Sequence, residues 1–337
     1  MSNPLSDLIS EKGVLLADGA TGTNLFEMGL EAGGAPELWN EDLPDNIRKL
    51  HQDFVDAGSD IILTNSFGGT RHRLKLHDAQ DRVHELNVKA ALIAREIADN
   101  ANRKVIVAGS VGPTGELLAP LGSLTYEDCV EAFAEQMEGL KAGGADVLWV
   151  ETMSSPDEIK AAAEAAAKVG MEYVVTASFD TAGRTMMGLM PEDFHGVVEQ
   201  DQKPLAVGAN CGVGASDLLS TILDMTKANP DALVVAKANC GIPQIKGDTV
   251  EYTGTPELMH EYTKLAIDAG ATIIGGCCGT SCDHLAHMRH AIDIHAKRDR
   301  PELSVIEEVI GPMVNKPAAA NDTQGGGGRS RRRRRSA

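Results

Sequence analysis

Apolar residues in this chain form short continuous runs at regular intervals. Between them lie longer stretches in which apolar positions recur every three or four residues. The runs Val14–Ala17, Asp60–Ser66, Lys104–Ser110 and Asp146–Glu151 read as strands, as do Tyr173–Phe179, Leu205–Asn210, Leu233–Asn239 and Thr272–Cys277. Most are rich in Val, Ile, Leu and Ala and lack the alternation of a half-exposed strand. That suits strands covered on both faces, as in a parallel sheet. The intervening pattern predicts helices over Pro44–Ala57, Ala79–Asn100, Thr125–Ala142, Pro156–Val169 and Thr255–Ala269.

One local signature recurs where helix gives way to strand: Asp56-Ala57-Gly58-Ser59-Asp60, Ala142-Gly143-Gly144-Ala145-Asp146 and Asp268-Ala269-Gly270-Ala271-Thr272. A glycine after the last helical turn adopts the left-handed conformation that ends a helix, and a buried strand follows at once. Eight strands alternating with helices fit an α/β fold of the (β/α)8 TIM-barrel type. A doubly wound open sheet is the competing arrangement. It is disfavoured because Asp18-Gly19-Ala20-Thr21-Gly22-Thr23, after the first strand, is not a G-x-G-x-x-G fingerprint. The barrel is expected to be one domain over residues 1–314. Residues 315–337, Pro- and Ala-containing and then Gly- and Arg-rich, are expected to be a disordered basic tail.

Composition narrows the function. The chain has 337 residues, 42% hydrophobic, enough for a large core. Net charge is −18, and six arginines and one aspartate sit in the last 21 residues, so the remainder is five charges more negative than the whole. Such a body does not suit nucleic-acid binding, which requires neutralising phosphate. No apolar run approaches the roughly 18 residues needed to span a membrane. The start lacks a cationic stretch followed by an apolar one, so a cytoplasmic location is expected. Six cysteines in that setting call for a reduced-state explanation rather than a disulfide framework.

In a barrel, reactive groups come from the C-terminal ends of the strands. Those ends carry Asp18, Asn65-Ser66-Phe67, Ser110, Glu151, Asp180, Asn210-Cys211, Asn239-Cys240 and Cys277-Cys278. Cys211, Cys277 and Cys278 together fit a metal site. Thiolates select zinc among common cytosolic metals, and three protein ligands leave a fourth position open, as in catalytic sites. Gly275, Gly276 and Gly279 give two adjacent cysteines the freedom to turn to one side. A zinc ion with three thiolates is a poor activator of water but suits holding a substrate thiol as a nucleophilic thiolate. Cys129, Cys240 and Cys282 read as small core residues. Asp18 could merely cap a helix and Glu151 could be a structural ion pair; their place on the cysteine rim favours substrate contact.

These residues resemble the homocysteine S-methyltransferase family. The likeness runs through Asp18-Gly19-Ala20-Thr21-Gly22-Thr23, Thr64-Asn65-Ser66-Phe67 and Gly109-Ser110-Val111-Gly112-Pro113. It continues in Glu151-Thr152, Gly208-Ala209-Asn210-Cys211 and Gly275-Gly276-Cys277-Cys278-Gly279-Thr280, covering about residues 10–295. Within the family the chain looks most like bacterial betaine–homocysteine methyltransferases and the homocysteine module of cobalamin-dependent methionine synthase. The resemblance implies a zinc-dependent TIM barrel that methylates homocysteine to methionine, with Zn2+ on Cys211, Cys277 and Cys278. It implies that Asp18 and Glu151 hold the homocysteine ammonium and that backbone amides around Gly19 and Ala20 meet its carboxylate. Two departures stand out: Cys240 where relatives usually have Ala, and Gly68 where animal betaine enzymes have an aromatic residue.

A small cationic methyl donor is the economical expectation for a chain filled by one barrel. Glycine betaine is favoured, with Trp39 and Phe67 as aromatic cage residues and Tyr126 as a weaker third. S-methylmethionine, a sulfonium such as dimethylsulfoniopropionate, and methylcobalamin on a partner protein are the alternatives. From other classes, a zinc hydrolase would need a water-activating base, and a non-catalytic zinc-binding subunit would show no turnover. The partners expected are homocysteine and a methyl donor; no nucleic acid and no membrane are expected, and homo-oligomers are allowed.

Overall fold

The computed structural model describes residues 3–198, 202–246 and 249–315. The stretch read as a disordered basic tail lies, apart from Asn315, outside the described residues. Among the described residues ten strands are formed: β1 Leu15–Leu16, β2 Ile61–Leu63, β3 Ile106–Val111, β4 Val147–Met153, β5 Tyr173–Ala177, β6 Ala206–Cys211, β7 Val234–Ala238, β8 Pro243–Lys246, β9 Thr249–Tyr252 and β10 Ile273–Gly276. Eight make one parallel sheet in the order β1-β10-β7-β6-β5-β4-β3-β2. A parallel bridge between Ala17 and Ile61 joins its two edges, so the sheet is a (β/α)8 barrel as expected. The strands β8 and β9 form an antiparallel hairpin between β7 and β10, which the sequence pattern did not reveal.

The recurring glycine signature works as its chemistry requires. Gly58, Gly144 and Gly270 have φ of 108°, 93° and 100°. The next residue in each case bonds back to the fifth residue before it: Ser59 to Phe54, Ala145 to Leu140, Ala271 to Ala266. This is the Schellman closure, and it turns the chain straight into the following strand. Helix starts are equally legible. Thr125, Ser155 and Thr255 accept hydrogen bonds from the amides of Asp128, Glu158 and Leu258.

Strand alternation sorts the core into two layers. Leu15, Ala17, Ile61, Leu63, Ile106, Ala108, Val147, Trp149, Val174 and Val235 pack together inside the barrel. Their neighbours Leu16, Ile62, Val107, Leu148, Val150, Val175, Val234 and Ala236 pack outward against the helices. Leu5 and Leu8 of the helix Pro4–Lys12 join the inner cluster. Continuing the inner register along β3, β4 and β7 brings up Ser110, Glu151 and Lys237. The barrel interior thus ends in a polar layer. Among the described residues no helix is long and apolar enough to cross a membrane.

Candidate functional site

The C-terminal ends of the strands open into a cavity of about 1100 Å³, whose lining includes Gly19, Ser110, Glu151, Lys237 and all three cysteines of the expected site. The ligand atoms of Cys211, Cys277 and Cys278 lie within 4.8 Å of one another. Among the described residues they are the one such group of three or more His, Cys, Asp or Glu. Cys211 reaches this position through a left-handed backbone, φ 61°, followed by Gly212 at 75°. A non-glycine residue is held there only when its surroundings over-determine it.

Two asparagines supply that constraint. Asn210 accepts from the Thr152 amide at 2.9 Å and the Thr176 hydroxyl at 2.6 Å, and donates to Thr152 Oγ1 at 2.7 Å. Its Nδ2 also lies 3.9 Å from Cys277 Sγ. Asn239 donates to the Gly212 carbonyl at 2.7 Å and accepts from the Cys278 amide at 3.1 Å. One side chain therefore fastens the turn after Cys211 to the turn bearing Cys278.

The electrostatics are those of a donor set waiting for a cation. Hydrogen bonds from Cys211 and Cys277, and then from Tyr252, hold Cys278 as a thiolate well below the usual thiol range. Cys211 is pushed up by its hydrogen bonds to Cys277 and Cys278. Without added positive charge, three thiolates this close cannot all ionise; a divalent cation removes that conflict. The trio thus fits zinc by donor type, number and spacing.

The carboxylates differ from one another. Glu151 lines the cavity and accepts from the Ser110 hydroxyl at 2.5 Å. A register irregularity between Val150 and Met153, with Thr152 at φ 62°, breaks the regular ladder beside it. Burial raises its pKa to about 7, opposed by Lys237 and the Ser110 hydrogen bond. Asp18 is fully buried and does not line the cavity. Its two oxygens accept from Lys237 Nζ at 2.7 Å and from the Leu63 amide at 2.7 Å. Burial would strip the Lys237 proton, but Asp18 and Glu151 outweigh it and raise the ammonium above its ordinary value.

The remaining expected residues scatter. Gly19 lines the cavity at a point where a Cβ would lie 2.6 Å from the Thr280 carbonyl oxygen. Ala20 also lines it, but its amide already donates to Thr280 at 3.2 Å. Phe67 lies on the cavity wall, 38% exposed. Trp39 is packed in the hydrophobic core between strands and helices and does not line the cavity. Tyr126 bonds Glu164 on the helical exterior. Cys129 and Cys240 are buried outside the trio, and Cys282 opens the helix Cys282–Ile294.

Sequence reasoning missed Lys237, Glu37 and Tyr252. A lysine inside an otherwise apolar strand run was the signal for Lys237. Glu37 is buried, lines the cavity and accepts from the Gly68 amide at 2.6 Å. A Cβ on Gly68 would stand 2.9 Å from Glu37 Oε1.

Comparison with known proteins agrees with this geometry. The family model described as homocysteine S-methyltransferase matches residues 15–292. Methionine synthase of Mycobacterium tuberculosis is 31% identical over 325 residues, covering 90% of this chain and 26% of that protein. The Mycobacterium leprae methionine synthase is 31% identical over 300 residues, covering 83% and 24%. The chain thus spans about a quarter of the length of these curated relatives. In fold it is similar to the metallated form of the homocysteine methyltransferase MmuM from Escherichia coli. That match has a TM-score of 0.70 and 24% identity, and covers 86% of this chain and 99% of that one. On the extent of the family match, this chain belongs to the homocysteine S-methyltransferase family.

Proposed function

We propose that this protein is a zinc-dependent S-methyltransferase that converts homocysteine to methionine, with glycine betaine as the methyl donor and dimethylglycine as the second product. The observation that carries the reading is three sulfurs within 4.8 Å on the rim of one cavity that also contains a buried carboxylate. Cys211, Cys277 and Cys278 would hold the zinc ion. When bound, its charge favours the thiolate form of a substrate thiol at neutral pH. The chain's own residues do the rest. Asn210 and Asn239 keep the cysteine-bearing turns in place, Glu151 offers its carboxylate to the substrate ammonium, and the cavity aligns sulfur with the methyl carbon. The thiolate sulfur forms the new S–C bond, the C–N bond of the donor breaks, and its electron pair stays on the departing neutral amine. No proton need be delivered to that amine.

Phe67 favours a cationic donor, since an aromatic face attracts a quaternary ammonium, and the Glu37 carboxyl on the same cavity wall adds to that attraction in its ionised form, which burial disfavours in the empty site. S-methylmethionine and other sulfoniums share that chemistry. A second reading, methyl delivery by a separate corrinoid protein, draws on the match to one quarter of methionine synthase. Methionine formation from homocysteine with betaine, a sulfonium or methylcobalamin, each with and without an added corrinoid protein, tests the assignment. Turnover with betaine is expected. Turnover only with a corrinoid protein overturns the donor, and no turnover with any donor at full zinc loading supports a non-catalytic zinc-binding subunit.

A further inference from the structure

A site that gathers three protein thiolates and one substrate thiolate poses a problem of selection, because any of the four sulfurs can attack an electrophilic methyl group. The structure treats the three cysteines unequally. Asn210 Nδ2 donates one N–H to Thr152 Oγ1 at 2.7 Å and, 3.9 Å from Cys277 Sγ, has the second for that sulfur. The Tyr252 hydroxyl donates to Cys278. Among the described residues, the sulfur of Cys211 takes no hydrogen bond from outside the trio.

The hairpin of β8 and β9 brings Tyr252 to the cysteine turn. Tyr252 closes β9, opposite Pro243 at the start of β8. At the hairpin's base the Gly254 amide donates to the Cys240 carbonyl at 2.9 Å, and the Cys240 amide donates to the Cys278 carbonyl at 2.9 Å. The Tyr252 side chain lies on the backbone of Gly279, φ 80°, where a Cβ would stand 2.4 Å from its Cγ. Tyr252 and Cys278 line the same cavity. An element that the apolar pattern did not reveal thus carries a phenol to a cysteine sulfur.

Hydrogen bonds among the three cysteines need a thiol proton, so they vanish when all three ionise on a metal. The donors from Tyr252 and Asn210 persist. A hydrogen bond to a thiolate stabilises its charge, and a stabilised thiolate is a weaker nucleophile. We infer that Tyr252 is a positioning residue that acts through Cys278: its hydroxyl draws charge from that sulfur, as the Asn210 amide does from Cys277, so that an electrophilic methyl group goes to the incoming substrate thiolate rather than to these ligands. This deepens the zinc methyltransferase reading and rests on it.

The test is alkylation of the zinc-loaded full chain by iodoacetamide at low conversion, with the modified cysteines located by mass spectrometry. The attacking sulfur forms an S–C bond, and iodide leaves with the electron pair of the C–I bond. Cys211 is the internal reference; it and Cys278 are both half-buried and line the cavity, so both are reachable from it. Tyr252→Phe keeps the ring and loses the O–H. In this variant the ratio of Cys278 to Cys211 modification is expected to rise about three- to tenfold, with zinc content unchanged. That is the size of a hydrogen bond to a charged group, scaled by the shallow dependence of thiolate nucleophilicity on basicity. An unchanged ratio overturns the inference and leaves Tyr252 a packing residue.

Should Tyr252→Phe fail to fold or to retain zinc, the wild type supplies a second measurement. Its Cys278 is expected to be modified about three- to tenfold more slowly than Cys211. A wild type that binds zinc yet modifies Cys278 as fast as Cys211, or faster, fails this proposal alone. A wild type that binds no zinc fails the proposed function with it.

Discussion

Asp60 and Asp18 are both buried carboxylates, one just ahead of β2 and the other just after β1, and they sit in opposite electrostatic circumstances. Asp60 faces three cations, Lys12 at 2.6 Å, Arg289 at 3.0 Å and Arg103 at 3.8 Å, and accepts from the Leu16 amide at 3.0 Å. Those cations are 22–33% exposed, so their surplus charge is turned toward water. Asp18 has one cation, Lys237, with a side chain only 3% exposed and bordering the cavity. Burial and pairing alone therefore do not mark a functional group. What separates the two is where the partner's remaining capacity points: outward at Asp60, into the cavity at Asp18.

The comparison breaks most sharply at the thiol rim that the Asp18 end supports. Cys211→Ala is expected to lower zinc from one ion per chain to near none and methyl transfer by at least about a thousandfold. Metal analysis and a methionine assay check both, and retained zinc with full turnover would remove the basis of the proposed function. Lys237→Met on its own leaves Asp18 buried and unpaired. It should cost about 3–5 kcal/mol in urea unfolding, whereas the same substitution with Asp18→Asn costs markedly less.

Asp60→Asn should cost less, about 2 kcal/mol, because its partners keep part of their hydration. The homocysteine KM of the folded Asp60→Asn protein should match the wild type, since this end of the barrel does not touch substrate. A raised KM would erase the distinction between the two ends.

A pH profile sharpens the contrast. With the Glu151 pKa raised to about 7, the carboxyl is protonated in the folded empty site at pH values where the unfolded chain is already ionised. The folded state then binds more protons, so this group favours folding as pH falls from about 7 toward the ordinary carboxylate range and disfavours it above. Substrate ammonium needs the ionised form. Apparent homocysteine affinity should therefore weaken by up to about tenfold per unit below pH 7, and Glu151→Gln should flatten that dependence while raising KM. The smallest effect belongs to Cys129→Ala in the core, about 1 kcal/mol with zinc content unchanged.

Much of this molecule was legible in its sequence because the informative features are local. Eight apolar runs, three glycine-ended helices and cysteines at strand ends need only neighbouring residues to be interpreted. Contacts across the barrel do not share that property. The alternation of β7 says that Lys237 faces inward, but not that Asp18, 219 residues earlier, meets it there. Trp39 was a cage candidate by its aromatic side chain alone, and residue type carries no mark of its partners; the fold buries it in the core. Asn210 and Asn239 were visible as strand ends, yet their work as fasteners depends on which turn lies within reach of each amide.

The barrel's ring has a thin place. The first two strands number two and three residues, and they meet through the Ala17–Ile61 bridge, the Asp60 amide on the Leu16 carbonyl, and the Leu16 amide on the Asp60 side chain. Every other junction in the sheet has its own strand ladder. Under native-state deuterium exchange the Leu16 and Asp60 amides, which span this seam, should therefore lose protection ahead of those in β4 and β5. Breathing would begin at a seam whose latch is an ionised side chain rather than a run of backbone bonds.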